Sequence, residues 1–435
     1  MNRSWYGRGL ALAALIGVLS GLASGLLLDA LRRATELQAN HPWLLFLLPA
    51  GGALIAWLYQ GYGASAADGN NLILDHINES RETAIPARMF PIILASTVIT
   101  HLFGGSAGRE GVAVQMGGAI ASRIARLFRL DSAQTRLLLM CGISGGFASI
   151  FGTPLAGTIF GMEMLAIGGI RYDALLPCLL AALAGSQAVG WLGIEHGHYA
   201  IQSAIPALGP EVVAKVVVAA FAFGVLSAAF SESIVLLERE WRVLVKNPVL
   251  KTTIGGVLVI AATWALGTRA YTGLSLPLLS APFTSEHVPT FAFLAKLGLT
   301  ALTLSAGFKG GEVTPLFVIG ATAGATFAGP LGLPIDFLAA LGFVAVFAAA
   351  ANTPLACVVM GAELFGSSGI IYFGIAVFIA YTISGHRGIY HSQRLDTPKG
   401  MSRVQLQPGA TLHDSTRSGV AYSTRFAAWR KARRQ

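Results

Sequence analysis

Thr153-Pro154-Leu155-Ala156, followed by Gly161-x-Glu163, recurs as Thr353-Pro354-Leu355-Ala356 followed by Gly361-x-Glu363, each residue 200 positions after its counterpart. A Gly-rich element with a glutamate precedes each copy. These are Gly108-Arg109-Glu110-Gly111-Val112 and Gly310-Gly311-Glu312-Val313-Thr314-Pro315, with the two glutamates 202 positions apart. Single identities are common in apolar sequence, but ordered blocks at one offset point to repeated structure. The chain reads as two membrane halves, 1–200 and 201–385, of inverted topology, followed by a basic tail at 386–435.

Composition sets the environment of these halves. Of 435 residues, 54% are hydrophobic and only 12% charged, against about 25% charged in a soluble domain, and mean hydropathy is +0.64. That excludes an ordinary soluble enzyme and a disordered chain. Apolar segments fall near 9–28, 43–59, 86–104, 135–150, 153–168, 175–193, 212–236, 252–267, 290–306, 313–331, 336–351, 353–367 and 369–383. Many are shorter than the ~20 residues of a full crossing, and several are parted only by Gly, Pro and Ser. Broken helices survive in a membrane only where protein or a water-filled cavity covers them, and they point to a transport site. The run from Met1 to Leu28 is too long for a typical signal-peptide core and reads as a retained first membrane helix.

The net charge of +9 is concentrated at one end: residues 386–435 carry ten Lys/Arg against Asp396 and Asp414. A basic segment after the last span predicts a cytoplasmic tail that touches anionic lipid. It holds no nucleic-acid motif. Cys141, Cys178 and Cys357 lie in apolar runs without paired spacing and read as buried free thiols. Neither a cofactor loop nor a metal-ligand spacing is evident.

Three glycine-flanked turns open helices: Gly69-Asn70-Asn71-Leu72-Ile73, the Gly108–Val112 element and Gly311–Pro315. Free N–H groups and the positive dipole end make a helix start an anion site, and glycine admits close approach. Glu110 and Glu312 are the costliest residues, since a carboxylate in a membrane interior costs about 2.5 kcal/mol or more. Burial favours the neutral form of a carboxyl and donated amide bonds favour the charged form. A glutamate at an anion site can therefore occupy it as carboxylate and leave on protonation. The competing role for Glu110 is an ion pair with Arg109; Glu163 and Glu363 read as structural partners of backbone or basic groups. Ser144, in Gly142-Ile143-Ser144-Gly145-Gly146, resembles an intramembrane serine nucleophile. Its base would have to come from His196, His198, His287, His386, His391 or His413, all outside the apolar cores. His101 suits a proton relay or a hydrogen-bonded packing role.

At these residues the chain resembles the CLC family of chloride channels and proton-coupled anion antiporters, over most of residues 1–390. Gly69–Ile73 stands at the family's GSGIP element, Gly108–Val112 at GREGP and Gly311–Pro315 at GxFxP, and Tyr390 matches in Ser384–Tyr390. The resemblance implies an all-α polytopic fold of short, tilted and broken helices in an inverted repeat. It also implies a homodimer with one pathway per subunit, Glu110 as external gating glutamate and Tyr390 at the inner end. Asn70 stands where the central serine normally is.

The departures resemble the fluoride-exporting branch: Asn70 and Asn71 in the first turn, Val112 for Pro in the second, and Glu312 with Thr314 in the third. Met164 replaces a proton-transfer glutamate beside Glu163. In that branch Glu312 and Thr314 match residues tied to proton coupling and anion handling. An Asn side chain also offers two donor hydrogens where Ser offers one, which suits a small, strongly hydrated anion. The expectation is a fluoride/proton antiporter of a bacterial inner membrane, both termini cytoplasmic. Asn70, Asn71, Arg109, Gly111, Val313 and Tyr390 would bind the anion; Glu110, Glu312 and Thr314 would gate and move protons. A CLC chloride channel or chloride/proton exchanger is the alternative.

Overall fold

The computed structural model describes residues 3–79, 85–197, 199–284, 286–400 and 409–417. Eight helices come first: α1 (Arg3–Asn40), α2 (Leu48–Gly61), α3 (Asn70–Glu79), α4 (Met89–Leu102), α5 (Glu110–Leu127), α6 (Ser132–Phe151), α7 (Pro154–Glu163) and α8 (Leu175–Trp191). Then follow α9 (Pro210–Leu244), α10 (Pro248–Ala265), α11 (Leu276–Ser280), α12 (Ala292–Ser305) and α13 (Val313–Leu331). The last are α14 (Ile335–Ala351), α15 (Pro354–Phe365), α16 (Ile370–Ile383) and α17 (Leu412–Arg417). Among the described residues, six helices are long and apolar enough to cross a membrane; others, such as α4, α12 and α15, are apolar but shorter. Trp57, Trp191 and Trp264 stand exposed on the outer surface, as aromatic side chains do at a lipid interface. This is an all-α, multi-pass membrane architecture.

The repeated residues do equivalent work. Helix α6 ends on Gly152 and α14 on Asn352, both in the left-handed conformation (φ 70° and 59°). In each copy Thr-Pro then restarts the chain as a new helix, α7 or α15, with the proline in a first turn that has no use for its missing N–H. Glu163, ending α7, accepts from the amides of Leu355 and Ala356 at 3.0 and 2.8 Å. Glu363, near the end of α15, accepts from those of Leu155 and Ala156 at 2.9 and 2.8 Å. Each G-x-E glutamate thus caps the other copy's TPLA helix, satisfying donors that hydrocarbon would leave bare. Helix crossings match too. A Cβ on Gly117 of α5 would strike the Gly142 carbonyl of α6, and one on Gly320 of α13 the Gly342 carbonyl of α14. Small residues let the backbones meet and pack.

Four helices, α3, α5, α11 and α17, lie where no apolar segment is marked. Helix α3 and the eighteen-residue α5, EGVAVQMGGAIASRIARL, carry polar and small residues that dilute the apolar signal, yet α5 is almost wholly buried. Protein rather than lipid surrounds it, so its sequence need not be greasy. The first and ninth helices also run past the apolar segments at 9–28 and 212–236.

The chain after α16 turns back onto the membrane part. Strand β2 (Arg394–Leu395) pairs in parallel with β1 (Ala166–Ile167), just after α7. Arg387 bonds Glu232, Arg394 bonds the Asn78 carbonyl, and Lys399 Nζ donates to Ser384 Oγ at 2.9 Å over the Tyr381 ring. Protein therefore engages these three tail cations, which narrows the expected lipid contact to the rest. Arg403 and the basic run from Arg425 to Arg434 lie outside the described residues.

Removing the Glu163 carboxylate would strand two helix-start amides in a buried place, a loss of about 3 kcal/mol. Glu163→Ala should therefore lower the thermal midpoint in detergent by more than Glu363→Ala, whose glutamate is less buried. A Glu163→Ala midpoint equal to wild type would mean that the reciprocal caps carry no stability.

Candidate functional site

Three helix starts converge at the centre. Gly108 N donates to the Gly311 carbonyl at 2.6 Å and Gly311 N to the Gly108 carbonyl at 2.7 Å, an antiparallel bridge that sets the first turn of α5 beside that of α13. Glycine leaves both strands of it room for this close approach. A Cβ on Gly108 would lie 2.9 Å from Pro315 Cδ, and one on Gly311 3.1 Å from Gly111 N. Helix α3 joins through Gly111, where a Cβ would sit 3.0 Å from Asn70 Nδ2 and 3.7 Å from Glu312 Oε2. The positive dipole ends of three helices therefore share one small volume, a setting that favours negative charge.

Glu110 supplies that charge. It is 1% exposed, and its carboxylate crosses from α5 to the start of α13. Thr314 Oγ1 lies 2.6 Å from both carboxylate oxygens, while the Thr314 and Arg109 amides donate to Oε2 at 3.0 and 3.2 Å. Arg109 Nε stands 3.7 Å from Oε1, beyond hydrogen-bond length, and is buried without a hydrogen-bond partner. The ion pair with Arg109 is thus secondary to a threonine 204 positions away.

Beside this contact lies a cavity of about 310 Å³ whose lining includes Asn70, Asn71, Glu312 and Tyr390. Arg109, Glu110, Gly111, Val313 and Thr314 do not line it; Gly111 links the two groups through its approach to Asn70 and Glu312. Tyr390 is buried against Phe160 and lies within electrostatic reach of both Glu312 and Glu110. Asn71 Oδ1 accepts from Ser392 N at 3.1 Å, tying α3 to the segment that carries Tyr390. Asn70 Oδ1 is buried without a partner. Val313 is buried as the first residue of α13.

The other candidates resolve to packing. His101 faces the carbonyls of Thr97 and Ala107 at 2.8 and 3.1 Å, pinning the loop before Glu110. Ser144 Oγ is buried without a hydrogen-bond partner and is packed against Gly161, while His196 bonds the Ser149 carbonyl instead. His198 lies outside the described residues. The three cysteines are free and buried.

Other residues at or near the site escape the sequence reading. Gln115, Glu238 and Lys309 line the cavity. Glu238 had a weak signal: Ser227, Ser231, Ile234 and Glu238 follow helical spacing along α9, but Arg239, Glu240 and Arg242 beside it read as an ordinary charged helix end. Lys296, fully buried in α12, donates to the carbonyls of Tyr271 and Gly273 and to Ser275 Oγ at 3.2, 2.8 and 2.9 Å. Its signal was plain, a lone lysine in an apolar helix.

A multi-pass helical protein whose broken helices aim their starts at a buried carboxylate is built to handle anions. Residues 51–385 match the family described as voltage gated chloride channel, and the chain belongs to that family. It is 46% identical to a chloride/fluoride channel protein of Pseudomonas syringae pv. tomato, over 90% of this chain and 87% of that one. Among solved structures, a CLC-type fluoride/proton antiporter superposes with a TM-score of 0.88 at 36% identity, covering 91% of this chain and 100% of the other. A slow cyanobacterial chloride/proton antiporter shares the fold, with a TM-score of 0.74 at 19% identity over 87% of this chain and 94% of that one. The protein belongs with the CLC-family anion transporters and channels.

Thr314→Val keeps the shape of the site and removes the hydroxyl that holds Glu110. A hydrogen bond to a charged group contributes about 1.5–3 kcal/mol, so anion flux in liposomes should change by roughly 10- to 100-fold, and Thr314→Ser should restore it. Wild-type flux in Thr314→Val would remove the hydroxyl from the site.

Proposed function

We propose that this protein is a secondary active fluoride/proton antiporter that exports cytoplasmic fluoride as protons enter. The carrying observation is the Glu110 carboxylate, seated on the hydroxyl and amide of Thr314 as an anion would be. A carboxylate that leaves when protonated frees those donors for fluoride, which couples the two ions without a cofactor. Asn70, Asn71, Val313, Tyr390 and the backbone amides of Arg109–Gly111 hold the anion, and Glu110 alternates between filling the path and carrying a proton. Thr314 and Glu312 complete the inner proton route, and Glu312 supplies the carboxyl that Met164 lacks.

Fluoride is favoured over chloride by the donors: stripping a small, strongly hydrated anion demands several converging N–H and O–H groups, and Asn70 adds an amide where the family's usual serine offers one hydroxyl. The similarity to a fluoride/proton antiporter supports the same choice. The relative's name also includes chloride, so chloride passage is the alternative that the experiment separates. We take the working unit to be a homodimer in a bacterial inner membrane, each chain made of halves 1–200 and 201–385 and a cytoplasmic tail at 386–435, with both termini inside. The reciprocal glutamate caps support the two halves.

The test is efflux from liposomes holding the purified protein, followed with fluoride, chloride and external pH electrodes. Fluoride should leave far faster than chloride, with matched proton uptake, and Glu110→Gln should abolish the proton movement. Chloride leaving as readily without proton uptake would make the protein a chloride channel. Coupled exchange surviving Glu110→Gln with normal stoichiometry would remove Glu110 from the proton path.

A further inference from the structure

We propose that Glu238 is the proton-transfer group through which Glu312 exchanges protons with the inner solution, a step that rests on the antiport reading above. Glu238 and Glu312 line the same cavity from different helices, with Ser231 and Ile234 beside Glu238 on one face of α9. Glu238 is partly exposed, so one carboxyl joins the interior of the cavity to its mouth. Glu238 stands in the charged last turns of α9, Glu238-Arg239-Glu240-Trp241-Arg242, and lines the cavity there.

A second observation says what fills the space between them. Asn70 Oδ1 lines the cavity region, is buried and accepts no hydrogen bond. A bound anion cannot satisfy an acceptor; a donor can. Water is the donor that a polar cavity of about 310 Å³ admits, at roughly 30 Å³ a molecule. A short water chain with Asn70 as an acceptor then bridges Glu312 and Glu238. In the step, an O–H bond on Glu312 breaks and one on Glu238 forms, the bridging water giving one proton as it takes another. Glu238 then releases its proton to bulk water, and no oxidant, reductant or metal is involved.

The charges around Glu238 fit traffic of this kind. Lys309, 4.3 Å over the Tyr59 ring and 3.3 Å from the Ala67 carbonyl, lies within electrostatic reach of Asp68, Glu238 and Glu312. Lys251 and Arg242 also act on Glu238, and His391 lines the cavity. Asp68 is the one competing carboxyl in the lining, but it is exposed on the loop before α3.

The experiment measures coupled exchange in liposomes for wild type, Glu238→Gln, Glu238→Asp and Asp68→Asn. If the wild type moves fluoride without protons, the antiport reading fails before any variant is compared. Given a coupled wild type, Glu238→Gln should slow exchange roughly 100-fold or more, as expected for loss of a general acid–base group. Glu238→Asp should recover most of the rate, and a small weak acid added to the internal buffer should rescue Glu238→Gln by standing in for the carboxyl. Packing damage would not respond to buffer. A wild-type rate in Glu238→Gln, a slow Glu238→Gln that buffer and aspartate both fail to rescue, or a defect confined to Asp68→Asn would each overturn the assignment.

Discussion

Hydrocarbon offers no partner to a bare N–H, and each broken helix in this protein leaves several. The two-rung bridge between Gly108 and Gly311 answers that constraint by holding two such ends against each other, where a Cβ would crowd the neighbouring backbone. Once they are held, the remaining donors of α5 and α13 point into one volume and must find an acceptor there. Glu110 is that acceptor in this structure, and Thr314 is its principal donor. The exposed ends that make such helices expensive are the same groups that can recognise an anion.

The same logic runs through the scaffold. Glu163 and Glu363 satisfy the starts of α15 and α7 reciprocally, and glycine pairs let α5 cross α6 and α13 cross α14 at backbone contact. These contacts surround the centre with rigid elements. The buried ammonium of Lys296 extends this support outward: it ties α12 to the loop at Tyr271, whose carbonyl also accepts from Ser106 Oγ, two residues before Gly108.

Much of this was legible in the sequence because the repeat carries it. The TPLA and G-x-E blocks locate two caps, and the glycine turns locate the starts of α3, α5 and α13 within a residue or two. What was not legible depends on distant pairing. The proximity of Arg109 to Glu110 in sequence suggested an ion pair, whereas Thr314 is the nearer partner in space. Hydropathy left α5 unmarked, and only its glycine turn pointed to it, because hydropathy reports contact with lipid and α5 touches protein. Gln115, Glu238 and Lys309 come from three separate segments and share a purpose only once the cavity exists.

The two helix-ending caps differ in one respect. At Gly152 a side chain would run into the His196 ring, while Asn352 uses its amide to bond the Arg387 carbonyl and Gln393 Oε1. Gln393 in turn reaches the carbonyls of Met164 and Ala351. One copy's cap therefore anchors the returning segment that bears Tyr390, and the other's does not. A pore with perfect twofold symmetry would have interchangeable mouths. This pair of residues, glycine in one copy and asparagine in the other, breaks the likeness of the two halves at the point where the returning segment joins only one of them.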